Sequence, residues 1–402
     1  MYTNLAALAI FVFIYCVIAG RVERMPVSGP IIFVGFGLAF GPLGLGLLTF
    51  EITGESLRIL AELTLAIVLF TDAAGSNLGV LRRSEQIPVR LLLIGLPLTI
   101  LLGFVVGWAI LPGLTLIELT ILATMLAPTD AALGSAVVNN PKVPSDIREG
   151  LNVESGLNDG ICVPILFVLL ALAADKSGAT SGFHMAMRLV FEKIGIGLVV
   201  GLSLSALGWW FAKRYSNRGW INEAWRQVAG LALALSCFAL AQALGGSGFI
   251  ASFSGGLLFG ALAGELKDKL LHTAEGIGDL MSLATWVVFG CAVVGQMMAG
   301  FSWRIFAYAI LSLTLVRMLP VFLSLAGSPE STGDKLFMGW FGPRGLASIV
   351  FVVIALDYQL PANETLSLVV VCTVLLSIVT HGFSANPLIA AAWRTQRGSP
   401  RQ

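Results

Sequence analysis

Apolar runs of about 20 residues recur from one end of the chain to the other, with short polar or Gly/Pro-rich stretches between them. A bilayer core about 30 Å thick is crossed by roughly 20 helical residues, whereas a barrel strand needs only about ten. Charged residues make up 12% of the 402 residues, which is roughly half the usual share in soluble proteins. The sequence therefore predicts an all-helical membrane protein with many spans, embedded in a lipid bilayer. A net charge of +1 without a basic block gives no reason to expect nucleic acid as a partner.

The apolar runs define thirteen candidate spans, which together form one integral membrane domain over residues 1–402. Their approximate limits are 3–20, 28–49, 58–79, 89–111, 116–140, 149–174, 187–211, 226–244, 248–264, 277–299, 304–326, 336–356 and 364–390. No basic residue precedes the first run, so we expect a retained span rather than a cleaved signal. The last run ends near residue 390, so no soluble regulatory domain is expected.

Lysine and arginine are distributed unevenly between the two sides of these spans. Of the 24 basic residues, 17 fall on one side and 5 on the other, while Arg317 and Arg344 lie inside spans. Cytoplasmic loops are normally the richer in Lys and Arg. The bias predicts a multi-pass protein of the cytoplasmic membrane with its N-terminus outside and its C-terminus in the cytoplasm. It also predicts an odd number of spans.

Two of the spans are interrupted in their middles. Span 5 contains the stretch LAPTDAALG (126–134), and span 12 contains FGPRG (341–345). Proline removes a backbone donor, and glycine tolerates unwound backbone, so both segments are expected to be broken helices. They lie seven spans apart and therefore enter the membrane in opposite directions. This pattern predicts two inverted six-helix repeats, about 1–175 and 226–392, joined by a helix at about 187–211, with the broken helices crossing near the midplane.

The broken helices carry polar side chains where little water is expected. Unwound ends expose backbone N–H and C=O groups that must find partners inside the membrane. Thr129 and Asp130 supply oxygens at one break, and Arg344 supplies a cation at the other. These charges suit the ends of half-helix dipoles.

The stretch VESGLNDG (153–160) at the start of span 6 adds a second set of polar groups. Glu154, Ser155, Asn158 and Asp159 share one face at helical spacing. Asp159, brought together with Asp130, offers hard oxygen ligands suited to a small cation. A buried carboxylate is neutralised by a proton or by a cation. A site that holds one or the other, but not both, is a mechanism for exchange.

Several charged residues allow more than one interpretation. Glu154 either forms a buried pair with Arg344 or ligates the ion directly. Asp72 either lines an access funnel or caps its own helix. Arg317 compensates a helix dipole or snorkels. His381 acts as a proton sensor or caps a helix end.

Five short motifs of the chain resemble those of a known protein family. APTD (127–130), VESGLNDG (153–160) and GPRG (342–345), with THG (380–382) and ANP (385–387), resemble the motifs of NhaP-type sodium/proton antiporters in the monovalent cation:proton antiporter superfamily. The resemblance covers essentially the whole chain. It implies thirteen helices, a homodimer, no cofactor, and a six-helix core that moves against the dimerisation part. The implied activity is exchange of a monovalent cation, Na⁺ or else Li⁺ or K⁺, for protons, and not enzyme catalysis.

The resemblance also implies individual roles. Asp159 would be the principal ion- and proton-binding carboxylate, with Asp130 beside it, and Thr129 and Ser155 would add oxygens to a Na⁺ site. Asn158 stands where electrogenic relatives carry an aspartate, which implies electroneutral, one-for-one exchange. Glu154 and Arg344 would form the stabilising ion pair.

Two rival functions fit parts of the same pattern. A sodium-coupled symporter of an organic anion would use the same broken helices, but with neutral, hydroxyl-rich motifs in place of Asp130 and Asp159. An intramembrane aspartyl protease needs two aspartates that share a proton, and this pair superficially qualifies.

Overall fold

The computed structural model describes residues 2–22, 27–48, 54–76, 86–130, 133–138, 140–174, 180–216, 218–220, 222–264, 267–294, 300 and 302–393. Over these residues the chain is helical with short connections, and no strand occurs in them. The predicted all-helical class is therefore confirmed. Seven basic residues used to orient the chain lie outside the described residues, namely Arg24, Arg82, Arg83, Lys176, Arg394, Arg397 and Arg401.

The helices follow one another without any sheet between them. In chain order they are α1 Tyr2–Val22, α2 Gly29–Phe40, α3 Gly54–Gly75, α4 Gln86–Arg90, α5 Leu96–Ile110, α6 Leu116–Met125, α7 Ser135–Val138, α8 Ser145–Ala174, α9 Thr180–Ser216, α10 Glu223–Ala243, α11 Gly248–Ala263, α12 Lys267–Val288, α13 Trp303–Leu313, α14 Leu315–Ser324, α15 Thr332–Trp340, α16 Leu346–Leu356 and α17 Asn363–Ala392. A π-helical segment, Leu91–Gly95, joins α4 to α5, and another, Phe289–Val294, extends α12.

Each predicted span overlaps one described helix or consecutive described helices. Within the described residues, six helical stretches are long and apolar enough to cross a membrane, and five shorter apolar helices accompany them. Two of these shorter helices, α6 and α16, belong to the predicted broken spans. The helical turns stop at Met125 and Trp340, and helix resumes at Ser135 and Leu346.

The two breaks lie against each other. The backbone N–H of Asp130 donates to the carbonyl of Pro343 at 2.8 Å, which joins the unwound backbone of the two broken spans. The predicted crossing of interrupted helices is therefore present. Both segments leave the helix and contain a proline, which has no N–H, so some of their backbone groups lack an intrahelical partner. The hydrogen bond between the two unwound segments satisfies one such donor and one such acceptor.

The start of α6 is fixed by a capping box. The Thr115 side chain accepts from the Glu118 N–H, and the Glu118 carboxylate accepts from the Thr115 N–H at 2.9 Å. The second Glu118 oxygen accepts from the N–H of Ala362 at 3.0 Å. One buried carboxylate therefore ties the start of α6 to the loop before α17, and so fixes the first half of one broken span relative to the end of the other.

A separate set of helices packs around α3. Gly256 and Gly260 of α11 lie directly on the α3 backbone, where a Cβ would collide with the carbonyls of Phe70 and Ala74. Such small-residue contacts let two membrane helices approach closely. Helices α9, α10 and α12 complete this group through the apolar cluster around Phe70 and Phe259. The group forms one wall beside the broken helices, because α3 also contacts α8 and α16.

Candidate ion-binding site

The polar face of α8 binds the unwound segment around Thr129, in the first of the two broken spans. Ser155 Oγ donates to the Thr129 carbonyl at 2.6 Å, and Asn158 Nδ2 donates to Thr129 Oγ1 at 2.8 Å. All three residues are buried. The i,i+3 spacing of Ser155 and Asn158 places both donors on one side of the helix, so a single turn of α8 fixes the backbone and the side chain of Thr129.

Two buried oxygens at this turn have no hydrogen-bond partner among the described residues. They are Asp159 Oδ1 and Asn158 Oδ1. Asp159 is only 8% exposed, and a buried polar oxygen without a partner is unusual in folded proteins. A small cavity at the crossing is lined by Thr129, Asp130 and Ser155, among others. The site therefore combines two unpartnered oxygens on α8 with a cavity that reaches Thr129 and Ser155.

Asp130 lies at the crossing with both carboxylate oxygens engaged. Oδ1 accepts from the N–H of Leu133 at 3.1 Å, and Oδ2 accepts from the N–H of Leu346 at 2.9 Å. Leu346 is the first residue of α16, so the carboxylate sits at the positive end of that half-helix. Glycine at 345 makes this contact possible, because a Cβ there would overlap the Asp130 side chain.

Arg344 lies at the C-terminal end of α6, as Asp130 lies at the N-terminal end of α16. Its Nη1 donates to the carbonyls of Ala127 at 2.5 Å and Pro128 at 3.0 Å, just beyond the C-terminal end of α6. The Arg344 N–H donates to Ser377 Oγ of α17 at 2.7 Å. The side chain is fully buried. Each break therefore supplies the charge that compensates a half-helix of the other broken span.

The prediction that Glu154 pairs with Arg344 is wrong about the partner. Glu154 Oε1 and Oε2 accept from Arg317 Nη1 and Nη2 at 2.5 and 2.7 Å, with both side chains 3% exposed. The physical reason is that Arg344 is held at the carbonyls of Ala127 and Pro128, whereas Arg317 projects from α14 with its planar fork facing Glu154 on α8. Arg317, predicted only as a dipole compensator or a snorkelling residue, is instead the bidentate partner in a buried ion pair.

His381 supports the second break from α17. Its Nε2 lies 2.8 Å from the Trp340 carbonyl and its Nδ1 lies 2.9 Å from the Ser377 carbonyl, so both ring nitrogens face oxygens that can only accept. Trp340 ends α15. His381 Nδ1 lies 3.3 Å from Ser377 Oγ, the same hydroxyl that accepts from the Arg344 N–H. The contact of Nε2 with Trp340 is that of a cap, and the helix end that it caps belongs to α15 rather than α17.

Asp72 lies on α3, the helix that packs against α8 near Asp159. Its Cβ and carbonyl are 3.4 and 3.3 Å from where a Cβ on Gly156 would stand, which places Asp72 against the α8 turn that precedes Asp159. The end of α3 is capped by Ser76, whose Oγ donates to the Asp72 carbonyl at 2.7 Å. The Asp72 carboxylate is therefore not needed as a cap.

Two further carboxylates interact electrostatically with Asp72 and were missed by sequence reasoning. Glu275 and Asp279 are exposed on α12 at i,i+4 spacing. The predicted span began at residue 277 and so left Glu275 in a loop. Their spacing of four residues was the signal in the sequence that could have placed them on one helical face. Asp72 also interacts with Asp130, and Asp159 with both, so acidic groups are present from the protein surface to the crossing.

Broken helices that cross over buried polar groups are typical of secondary transporters. The fold agrees with this class. The structure of the sodium proton antiporter MjNhaP1 from Methanocaldococcus jannaschii at pH 8 superposes with a TM-score of 0.75, at 21% identity, covering 95% of this chain and 99% of that one.

Residues 7–391 match the family described as sodium/hydrogen exchanger, transmembrane, and the chain belongs to that family. A K(+)/H(+) antiporter NhaP2 of Shewanella sp. (strain ANA-3) is 23% identical over 364 residues, covering 90% of this chain and 62% of the relative. A probable Na(+)/H(+) antiporter of Schizosaccharomyces pombe is 26% identical over 339 residues, covering 79% of this chain and 44% of the relative. The chain thus spans less than two thirds of the length of these relatives.

Proposed function

We propose that the protein exchanges a monovalent cation for protons across the cytoplasmic membrane, with Asp159 as the group for which the two ligands compete. The observation that carries this proposal is the pair of buried oxygens, Asp159 Oδ1 and Asn158 Oδ1, which have no partner among the described residues. A proton or a cation at Asp159 supplies the partner that this carboxylate oxygen lacks. Because the two ligands use the same charge, binding of one excludes the other.

Thr129 and Ser155 complete the proposed site. Thr129 Oγ1 accepts from Asn158, the residue that precedes Asp159 on α8. Ser155 fixes the Thr129 carbonyl. Hydroxyl, carbonyl and carboxylate oxygens are the ligands of hard cations, and Na⁺ fits this set without a cofactor. Glu154 is engaged at both oxygens by Arg317, which favours a structural role over direct ligation.

Asn158 supports electroneutral exchange. With an amide at this position the site presents one carboxylate in Asp159, so one proton replaces one monovalent cation. Exchange by the unmodified protein is therefore expected to proceed at the same rate with and without an imposed membrane voltage. A steep voltage response would contradict the one-for-one stoichiometry.

The cation is the substrate that the experiment has to identify. The Shewanella relative is named as a K(+)/H(+) antiporter and the Schizosaccharomyces relative as a probable Na(+)/H(+) antiporter. We propose Na⁺, with Li⁺ and K⁺ as the alternatives. We also propose a homodimer in which the core helices move against the α3 group, with the N-terminus outside. An aspartyl protease is disfavoured because both Asp130 carboxylate oxygens accept from backbone N–H groups instead of facing Asp159.

The test is cation-dependent dissipation of a pH gradient by the purified protein in proteoliposomes, repeated with Na⁺, Li⁺ and K⁺. Asp159→Asn is expected to abolish the response, because the amide cannot alternate between charged and neutral forms. The matched control is Asp146→Asn, an exposed carboxylate on the same helix, which should leave the rate unchanged. Full exchange by Asp159→Asn would refute the role assigned to Asp159.

A further inference from the structure

An aromatic and basic surface lies where α9 ends and α10 begins. The apolar part of α9 ends at Tyr215, and the next apolar helix begins at Gln227. The stretch between them therefore lies where the bilayer core gives way to water. We define the aromatic–basic patch as Trp210, Phe211, Lys213, Arg214, Tyr215, Arg218 and Trp220. It lies on the side predicted to be cytoplasmic.

The rings of the patch form a continuous ladder. Trp210 and Phe211 have centroids 4.9 Å apart, Phe211 stacks on Tyr215 at 5.9 Å, and Tyr215 stacks on Trp220 at 5.0 Å. Trp210, Phe211 and Trp220 are all exposed, at 57%, 46% and 70%. Large rings that are apolar on their faces and polar at one edge are enriched at the level of lipid headgroups.

The turn between the helices places a guanidinium on this ladder. The N–H groups of Arg218 and Trp220 both donate to the Tyr215 carbonyl at 3.1 Å, and Gly219 takes the left-handed conformation at φ +70°. The Arg218 guanidinium carbon lies 5.9 Å from the Tyr215 ring centre and 5.7 Å from that of Trp220. Two rings therefore orient one cation.

The cations of the patch have no acidic partner among the described side chains. Lys213, Arg214 and Arg218 are exposed, and none of them forms an ion pair there. Three positive charges without an acidic partner among the described side chains, beside a row of exposed rings, match a ligand with an anionic head and an apolar body. We propose that the aromatic–basic patch binds the headgroup of an anionic phospholipid, with the rings packed against its glycerol and upper acyl region.

The experiment measures lipid binding by the full-length protein in detergent, using native mass spectrometry with phosphatidylglycerol and, separately, phosphatidylcholine. The unmodified protein should prefer phosphatidylglycerol. Each cation near an anionic headgroup contributes about fivefold in affinity. The variant Lys213→Gln/Arg214→Gln/Arg218→Gln should therefore bind phosphatidylglycerol about a hundredfold more weakly, and Arg218→Gln alone about fivefold more weakly.

The matched control removes the same number of charges elsewhere on the same predicted side, as Lys142→Gln/Lys269→Gln/Lys335→Gln. It should keep the affinity of the unmodified protein. Equal losses in both triple variants would overturn the proposal, because diffuse net charge would then explain binding. So would an absence of preference for phosphatidylglycerol, or displacement of the lipid by millimolar inorganic phosphate, which would indicate a soluble anion. None of these readouts depends on cation exchange, so the proposed function stands or falls separately.

Discussion

The buried pair between Glu154 and Arg317 gives the sharpest test of the structure. Two parallel hydrogen bonds of 2.5 and 2.7 Å join side chains that are each 3% exposed. At an effective dielectric constant of about 20, unit charges about 4 Å apart attract by about 4 kcal/mol. Removing one partner leaves the other charge buried and costs about 3–5 kcal/mol. Either Glu154→Gln or Arg317→Gln should therefore lower the free energy of unfolding by that amount.

A pair of double-mutant cycles separates the observed partner from the predicted one. In the first cycle, Glu154→Gln combined with Arg317→Gln should cost much less than the sum of the single changes, with a coupling of roughly 3 kcal/mol. In the second, Glu154→Gln is combined with Arg344→Gln. Arg344 donates to the carbonyls of Ala127 and Pro128 instead, so its loss should be costly but nearly additive, with coupling below about 1 kcal/mol.

The assay is reversible unfolding in mixed micelles titrated with sodium dodecyl sulfate, followed by tryptophan fluorescence. Glutamine is chosen because it keeps the length of the glutamate side chain and part of its hydrogen bonding. Strong coupling in the cycle with Arg344 and additivity in the cycle with Arg317 would show that the structural assignment is wrong. Small effects of all single changes would show that neither charge is buried.

Three further changes test the crossing. Gly345→Ala should abolish exchange in proteoliposomes, because the new Cβ overlaps the Asp130 carboxylate and displaces it from α16; unaltered transport would contradict that contact. His381→Ala leaves the Trp340 carbonyl without its donor and should cost about 1–3 kcal/mol in the same unfolding assay, with no change arguing against the cap. Asn158→Asp adds a second carboxylate at the site and should make the exchange rate respond to voltage, whereas a voltage-independent variant would remove the basis for electroneutrality.

Local signals in the sequence were sufficient for the architecture. Apolar length marks the spans, and Pro128 and Pro343 mark the breaks because proline acts on its own backbone. The spacing of Ser155, Asn158 and Asp159 gives their shared face from helical geometry alone. These inferences need no knowledge of which helices are neighbours.

The partners of long charged side chains could not be predicted from local sequence signals. Arg317 and Arg344 both lie inside apolar spans, and either could neutralise Glu154 as far as the sequence shows. The choice depends on where the guanidinium of each points after packing, and Arg344 is taken by carbonyls that become free only because α6 ends at Met125. Glu275 and Asp279 were missed for a related reason, since only the fold brings α12 into electrostatic range of Asp72.

The charges at the crossing also explain why one carboxylate is left for a ligand. Glu154 is neutralised by Arg317. Asp130 lies at the start of α16, and Arg344 at the end of α6, so each faces the half-helix terminus that compensates it. Among the described groups at the crossing, this leaves the Asp159 carboxylate with an oxygen that no donor or cation engages. Fixed compensation of the other charges is what allows a single proton or a single cation to complete the balance at Asp159.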